Sequence, residues 1–194
     1  MKKLLIVLSV ITLSFGLYAE NAPAFTLTDT NGTEHSLSDF AGKTVVLEWF
    51  NRGCPFVYKK HYGSGNMQSL QETYTEKGVV WLTICSSAPG KQGHTDAAGH
   101  NKTIEEWNVS STAFLMDEDG TVGKAYGAKT TPHMFVINGE GEIVYQGAID
   151  DKRSTDPNDI PNSENYVRTA LDAVLAGEAV ETSSTTPYGC SVKY

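Results

Sequence analysis

The chain has 194 residues, of which 40% are hydrophobic and 20% are charged, so a single domain with short appendages is expected and a disordered chain is excluded. The net charge of -8 at pH 7 argues against nucleic acid and anionic membrane surfaces as partners, and it favours proteins or small molecules. Three cysteines leave at most one disulfide and one spare thiol, which is too few for a disulfide-dense scaffold and favours a redox pair.

The N-terminus has the three parts of a secretory signal peptide. Met1-Lys2-Lys3 is basic, Leu4 to Leu17 is a nearly uninterrupted apolar stretch of 14 residues, and Leu17-Tyr18-Ala19 resembles a cleavage site. A membrane-spanning helix needs about 20 apolar residues, so an uncleaved anchor is the alternative, and contact with a membrane is expected only in that case. We predict cleavage after Ala19 and export to the periplasm, where disulfides persist.

In the first half of the chain, turn signals separate short apolar runs. Asn31-Gly32 predicts a hairpin, Gly63-Ser64-Gly65 predicts a break in a helix, and Gly78 predicts a helix end. The continuous apolar run that ends at Cys85 is typical of a strand covered on both faces, as in a parallel sheet. The predicted elements are hairpin strands at 24–28 and 33–37, a short helix at 38–40, strands at 44–51 and 79–85, and helices at 54–62 and 66–77.

The second half begins with a polar, glycine-rich loop and ends with a polar tail. Gly139-Glu140-Gly141 predicts an antiparallel hairpin, and Gly177 follows an amphipathic helix as its stop. The predicted elements are loops at 86–102 and 150–162, helices at 103–108, 121–126 and 165–176, strands at 112–116, 134–138 and 143–146, and the tail at 178–194.

The stretch 45–60 combines a buried strand, a glycine turn and a helix that begins at a cysteine-proline pair. Proline is favoured at the first helical position, so Pro55 places Cys54 at the N-cap or beside it. Unpaired N–H groups, the helix dipole and the cations Arg52 and Lys59 would favour a thiolate there. We therefore interpret Cys54 as a nucleophile, and a small buried residue at a strand–helix junction is the alternative.

Several features in chain order resemble the thioredoxin fold. A βαβ unit, a linking helix and a terminal ββα unit follow one another, Cys54-Pro55 follows the first core strand, and Thr131-Pro132 enters a later strand. With its opening Ala22-Pro23-Ala24-Phe25, the chain resembles the redoxin branch more narrowly, which contains peroxiredoxin-like (thiol-specific antioxidant, alkyl hydroperoxide reductase) and thiol-disulfide oxidoreductase proteins. This resemblance, over residues 22–176, implies an α/β fold with a central mixed sheet flanked by helices and an N-terminal β-hairpin extension.

The resemblance also implies roles for individual residues. Cys54 corresponds to the attacking cysteine and Pro132 to the cis-proline that packs against it, which leaves the backbone of Thr131 free to pair with an extended substrate chain. Glu48, six positions before the cysteine, corresponds to a buried proton acceptor, and burial would raise its pKa into a range that suits a general base. A simple turn at Thr131-Pro132 and a purely polar cover at Glu48 are the alternatives.

Three positions depart from the family pattern. Val57 stands where thioredoxins have a second cysteine, so no local Cys-x-x-Cys disulfide can form. Leu47 and Asn51 stand where peroxiredoxins have Pro and Thr or Ser, and Asn51 lacks the hydroxyl that positions a peroxide. Asn51 retains hydrogen-bonding capacity, and we predict that Asn51 and Arg52 bind substrate together with the Thr131-Pro132 segment.

A redox cycle at Cys54 needs a second sulfur from elsewhere in the chain. Cys190 lies thirteen residues after Gly177, and a fully extended tail of that length reaches roughly 43–47 Å, well beyond a domain radius of gyration of about 15 Å. We predict that Cys190 resolves, and that a Cys54–Cys190 bridge fastens the tail when oxidised and frees it when reduced. Cys85, at the end of a core strand, is the alternative resolver or a buried thiol, and Cys190 is alternatively an incidental thiol in a disordered end.

The sequence thus predicts an exported thiol-dependent oxidoreductase with a signal peptide at 1–19, a redoxin domain at 20–177 and a cysteine-bearing tail at 178–194. Expected partners are protein thiols and disulfides or a small peroxide, and an electron-donor redox protein; no cofactor is expected. The alternatives are a metal- or substrate-binding redoxin with little turnover and an inactive fold whose disulfide only tethers the tail. Four histidines could in principle join Cys54 as metal ligands, but Tyr58 breaks the Cys-x-x-x-Cys spacing of copper chaperones, so no metal site is predicted. These histidines are His61, His94, His100 and His133.

Overall fold

A mixed β-sheet forms the centre of the computed structural model, which describes residues 20–194. The signal peptide predicted at residues 1–19 lies outside the described residues. The strands of the described part are β1 (Glu20–Asn21), β2 (Thr26–Asp29), β3 (Glu34–Ser36), β4 (Val45–Trp49), β5 (Val80–Cys85), β6 (Ala113–Met116), β7 (Thr130–Thr131), β8 (Met134–Ile137), β9 (Glu142–Gly147) and β10 (Cys190–Ser191).

Helices cover both faces of the sheet. The α-helices are α1 (Asn66–Thr75), α2 (Ala97–Trp107), α3 (Thr121–Ala125) and α4 (Tyr166–Ala176). A π-helix (Phe56–Tyr62) and two 3-10 helices (Leu37–Phe40 and Pro157–Asn162) complete the helical segments. Within residues 20–194, no helix has the length and apolar character needed to cross a membrane.

The eight-stranded sheet has the order β1-β9-β8-β4-β5-β6-β2-β3. Strands β4, β5 and β6 are parallel neighbours, whereas β8 pairs antiparallel with both β4 and β9. The β2–β3 hairpin extends the sheet at the β6 edge through the antiparallel β2–β6 pair. The predicted fold class, a thioredoxin-like α/β fold with a central mixed sheet and an N-terminal hairpin, is confirmed.

Every residue of β4 and β5 is buried, so these central strands are covered on both faces. Side chains alternate across β4, so Val46 and Phe50 face the helices α1 and α4, whereas Leu47 and Trp49 face α3. Glu48 points to the same face as Val46, and it is the charged residue within this apolar strand. The end of β4 thereby delivers the chain to the turn that precedes Cys54.

Helix α2 begins earlier than the sequence predicts. A loop was expected over 86–102, but the helix begins at Ala97, where the Asp96 side chain accepts a hydrogen bond from Gly99 N at 2.9 Å. Aspartate is a favoured N-cap, and this bond satisfies one of the unpaired N–H groups of the first turn. Gly99 concealed the helix because glycine is unfavourable in a helix interior.

The helix predicted after Cys54 is present, but it has π geometry over Phe56–Tyr62. The N–H of Gly63 donates to the Tyr58 carbonyl at 2.6 Å, an i to i+5 bond, and Pro55 begins the helix. π-Helical turns are rare, and they occur frequently at functional sites. The wider turn changes which side chains of the segment face the core, and it buries Lys60 and His61 beside Val57.

Candidate active site

Cys54 lies at the end of a tight turn and is fully buried. Its N–H donates to the Asn51 carbonyl at 3.0 Å, and the Asn51 side chain accepts a hydrogen bond from Gly53 N at 2.8 Å. The Cys54 thiol donates to the Thr131 carbonyl oxygen at 3.0 Å. The turn therefore aims the sulfur at the backbone of β7.

The Thr131-Pro132 peptide is cis, and Thr131 is almost completely buried. This peptide lies at the end of β7, and the next strand, β8, runs beside β4, which places Thr131 against Cys54. The structure therefore brings together the cysteine and the Thr131-Pro132 pair singled out in the sequence.

Cys190 lies on a strand that pairs with the same backbone segment. Strand β10 pairs antiparallel with β7, with Cys190 opposite Thr131, and Val192 N donates to the Lys129 carbonyl at 3.1 Å. Burial is the main cause that raises the pKa of Cys190 to about 11, and the neighbouring Cys54 adds to this rise. Cys54 and Cys190 therefore both lie beside Thr131, and both are free thiols.

The tail is docked through β10, and its release on reduction stays a prediction. The position of β10 corrects one expectation from the sequence. The backbone of Thr131 was expected to be open to a substrate chain, but its strand edge is already paired with the tail. Further tail contacts follow Cys190, because Tyr194 Oη donates to the Ala128 carbonyl at 2.8 Å.

A buried cluster that the sequence did not reveal anchors the tail before Cys190. The Lys60 ammonium donates to Asp150 Oδ1 at 2.9 Å and to the Tyr188 hydroxyl at 3.0 Å, and Tyr188 donates to the same carboxylate. The side-chain exposures of Lys60 and Asp150 are 0% and 1%. Lys60 follows Tyr58 and Lys59, a polar pattern that is typical of an exposed segment, so the sequence did not indicate that Lys60 is buried.

Glu48 is buried against four hydrogen-bond donors. Tyr62 Oη donates to Oε1 at 2.9 Å, and Oε2 accepts from Gln71 Nε2 at 3.0 Å, Trp81 Nε1 at 3.0 Å and Thr83 Oγ1 at 3.3 Å. Burial raises the pKa of Glu48 to about 7, and the four donors partly oppose this rise. All of the hydrogen-bond partners of Glu48 within residues 20–194 belong to this network, so direct proton transfer between Glu48 and the Cys54 sulfur is not the arrangement seen here.

Asn51 shapes the turn and does not face a substrate groove. Its side-chain oxygen, Oδ1, accepts a hydrogen bond from Gly53 N. Its side-chain NH₂ group donates to Ser87 Oγ at 3.3 Å and to the Gln92 carbonyl at 2.9 Å. Because its polar atoms are engaged and Asn51 is buried, the predicted contact between Asn51 and substrate has no support in the geometry. Its amide instead fixes the turn of Cys54 against the loop that follows β5.

Arg52 points towards α2. Its guanidinium donates to Thr103 Oγ1 at 3.0 Å and to Glu106 Oε2 at 3.3 Å, and it lies 5.8 Å from the centre of the Trp107 ring. The predicted roles of Arg52 in substrate binding and in stabilising the thiolate therefore lack a contact. The cation is half-exposed and neutralised by Glu106, so we assign it to attachment of α2.

Cys85 is a buried core thiol. Its sulfur donates weakly to the Gly93 carbonyl at 3.8 Å, and burial raises its pKa. Cys190 lies opposite Thr131, whose carbonyl accepts the Cys54 thiol, whereas the partner of the Cys85 sulfur is Gly93. The geometry therefore favours Cys190 as the second sulfur.

Three histidines are buried and held neutral. Burial lowers the pKa of His61 to about 3 and the pKa values of His100 and His133 to about 4. His94 instead lies 3.3 Å from Glu118 Oε1 near the surface. No group of three or more potential metal ligands occurs within residues 20–194.

Comparisons with known proteins agree with this architecture. The redoxin family model matches residues 18–166. The thiol-disulfide oxidoreductase ResA of Bacillus thuringiensis subsp. konkukian is 28% identical over 128 residues, which cover 66% of this chain and 67% of that protein. The enzyme class in that name is one of the two predicted from the sequence.

Solved structures show the same fold. An uncharacterized conserved protein from Geobacillus kaustophilus superposes with a TM-score of 0.77 at 29% identity, over 91% of each chain. The thioredoxin domain of a thiol-disulfide oxidoreductase from Bacteroides vulgatus shares the fold, with a TM-score of 0.53 at 23% identity over 74% of this chain and 95% of that one. From the family match over most of its length, the chain belongs to the redoxin family.

Proposed function

We propose that this protein is an exported thiol-disulfide oxidoreductase in which Cys54 attacks and Cys190 resolves. The observation that carries the proposal is the arrangement of two thiols around Thr131. Its carbonyl accepts the Cys54 thiol at 3.0 Å, and Cys190 lies opposite it on β10. The relation to thiol-disulfide oxidoreductases supports the same reaction class.

The reaction proceeds in two exchanges. The Cys54 thiolate attacks one sulfur of a substrate disulfide, the substrate S–S bond breaks, and the departing substrate thiolate takes up a proton. Cys190 then loses its proton and attacks Cys54 in the mixed disulfide, which releases the second substrate thiol and leaves a Cys54–Cys190 disulfide. A dithiol protein reduces this disulfide and completes the cycle. With an oxidised enzyme and a dithiol substrate, the same steps run in reverse.

The high pKa of Cys190 makes the second exchange sensitive to pH. Burial is the main cause of this high pKa and persists in the mixed disulfide, whereas the contribution of Cys54 is lost there. The attacking species is the thiolate, so the rate of resolution rises with pH from neutral into the alkaline range. Glu48 influences proton transfer electrostatically and not as a direct proton acceptor. Its charge changes near neutral pH, and it lies on the face of the sheet that also carries Cys54.

The test compares the wild type with Cys54→Ser, Cys190→Ser and Cys85→Ser, using a model protein disulfide and hydrogen peroxide as substrates. We expect Cys54→Ser to abolish disulfide reduction, Cys190→Ser to accumulate a mixed disulfide at Cys54, and Cys85→Ser to retain turnover. Peptide mapping without reductant after mild oxidation is expected to yield a Cys54–Cys190 peptide. Unchanged turnover in Cys54→Ser, or a Cys54–Cys85 peptide, contradicts the proposal.

The competing candidates give different results in the same set. A peroxidase consumes hydrogen peroxide through Cys54 faster than it reduces the protein disulfide. A metal-binding redoxin shows a thiolate charge-transfer band at stoichiometric copper, and absence of that band excludes it. Export is tested by the N-terminal sequence of protein recovered from the periplasm of a bacterial host, which is expected to begin at Glu20.

A further inference from the structure

A buried ion pair joins the helix that follows Cys54 to the tail that carries Cys190. Lys60 lies six residues after Cys54, and Tyr188 lies two residues before Cys190. Asp150 Oδ1 accepts from the Lys60 ammonium at 2.9 Å and also from the Tyr188 hydroxyl. One carboxylate oxygen therefore connects the two cysteine-bearing segments.

Stability alone does not account for this pair. Removing both charges from water is costly, and a buried ion pair is often no more stabilising than apolar side chains of similar size. Lys60 and Asp150 are fully buried, so they bear this cost in full. The pair instead fixes the position of the Tyr188 ring, because Lys60 also donates to the Tyr188 hydroxyl at 3.0 Å.

The tail needs such an anchor near Cys190. Strand β10 has only two residues, and isolated short pairings are marginal in water. The Tyr188 ring packs 5.7 Å from the Phe56 ring and 5.1 Å from the Lys60 ammonium, both on the segment that follows Cys54. On the N-terminal side of Cys190, the tail is therefore attached directly to the helix that follows Cys54.

Gly189 connects Tyr188, which is held by the buried cluster, to Cys190. It has a φ of +140°, and a Cβ there would collide with the Thr131 carbonyl oxygen. The chain between Tyr188 and Cys190 is thus pressed against the carbonyl that accepts the Cys54 thiol. Because a single residue separates Tyr188 from Cys190, the position of Tyr188 restricts where Cys190 can lie.

We propose that Lys60 and Asp150, acting through Tyr188, are positioning residues that hold Cys190 in line to attack Cys54 in the mixed disulfide. This inference rests on the proposed function and specifies how its second step is made fast. In that step the Cys190 sulfur gives up its proton to solvent and bonds to the Cys54 sulfur, and the substrate sulfur leaves with the electrons of the broken S–S bond. Fixing the two sulfurs together raises their effective concentration, which accelerates an intramolecular exchange.

The test separates the two exchanges with dithiobis(nitrobenzoate), in a Cys85→Ala background so that only two thiols react. With one equivalent of reagent, attack by the first thiol releases one nitrothiobenzoate, and closure of the Cys54–Cys190 disulfide displaces the second at a rate that does not depend on reagent concentration. Tyr188→Phe keeps the ring but removes the hydroxyl shared by Lys60 and Asp150. Hydrogen bonds to charged groups account for factors of about tenfold or more, so we expect the second release to slow at least tenfold while the first is not slowed.

Tyr194→Phe is the matched control. Its hydroxyl also binds the domain from the tail, at the Ala128 carbonyl, but it lies after Cys190 and outside the buried cluster. We expect both releases in Tyr194→Phe to stay within about threefold of the parent, since Tyr194 is exposed and water replaces the lost bond. Equal slowing in the two variants would show that general loosening of the tail is responsible, and it would overturn the assignment.

A double variant protects the test against loss of the fold. Lys60→Met with Asp150→Leu replaces both charges by apolar side chains of similar size, a change that folded proteins tolerate. We expect its unfolding midpoint to stay near that of the parent and its second release to slow as in Tyr188→Phe. Second releases at the parental rate in both variants refute the positioning role, whereas a parent that releases only one equivalent refutes the proposed function itself.

Discussion

Replacement of Glu48 by Gln tests whether the buried carboxyl changes its charge near neutral pH. The pKa of Glu48 rises from 4.5 to about 7 in the folded state because burial penalises the carboxylate. The protonated carboxyl therefore stabilises the fold fully below pH 4.5, and this contribution is lost as the pH rises to about 7. The difference between these two pKa values corresponds to about 3 kcal/mol of unfolding free energy.

The geometry explains why Gln reproduces the protonated form. Oε2 accepts from Gln71, Trp81 and Thr83, whereas within residues 20–194 the side-chain hydrogen bond to Oε1 comes from the Tyr62 hydroxyl. The amide oxygen of the introduced glutamine can therefore face the three donors, and its NH₂ group can donate to Tyr62. We expect Glu48→Gln to match the wild type below pH 4.5 and to be more stable by about 3 kcal/mol above pH 7.

Urea unfolding followed by tryptophan fluorescence, at intervals from about pH 4.5 to about pH 8 under reducing conditions, gives the two curves. The buried histidines titrate in both proteins, so their effects cancel in the difference. Glu106→Gln, at a carboxyl with 42% side-chain exposure, serves as the control and is expected to give a small difference at all pH values. A constant offset between wild type and Glu48→Gln across this range would refute the pKa reasoning.

Two further predictions concern the tail and its anchor. Lys60→Met alone, or Asp150→Leu alone, is expected to lower the unfolding free energy by about 3–5 kcal/mol because each leaves a buried charge without its partner. The double variant is expected to lower it much less. Additive losses in urea unfolding would contradict this. Gly189→Ala is expected to displace β10, since its Cβ would collide with a backbone oxygen, and to speed alkylation of Cys54 by iodoacetamide. Gly141→Ala, at a φ of +84° with nothing within 4 Å, is the control, and equal alkylation rates in the two variants would argue that β10 does not cover the thiol.

Much of the fold could be predicted because its signals are local. The buried strands β4 and β5 are continuous apolar runs, and Asn31-Gly32 marks the turn of the β2–β3 hairpin. Cys54 could be singled out for the same reason, since the strand, the turn and the proline are adjacent in sequence. Local patterns did not specify the direction of Arg52, whose partners on α2 are 51 and 54 positions away.

The anchor of the tail could not be predicted because it depends on long-range contacts. Lys60 is 90 positions from Asp150 and 128 positions from Tyr188, and each of the three is ordinary in its own sequence context. The π geometry of the helix is also set by packing, since a shift of one residue per turn decides whether Lys60 faces water or the core. The sequence could therefore single out Cys54 and the Thr131-Pro132 segment, which the structure brings together, but not the buried cluster that attaches the tail.

The complete burial of Cys54 has a consequence for how its reactivity must be measured. A reagent in solution reaches the sulfur only in molecules that have opened locally, so the observed rate is the intrinsic rate multiplied by the open fraction. Each increment of about 1.4 kcal/mol in closing free energy lowers that fraction about tenfold. Cys54 therefore behaves like a protected amide in hydrogen exchange, and the ratio of its alkylation rate to that of a free thiol gives a protection factor for the closed state.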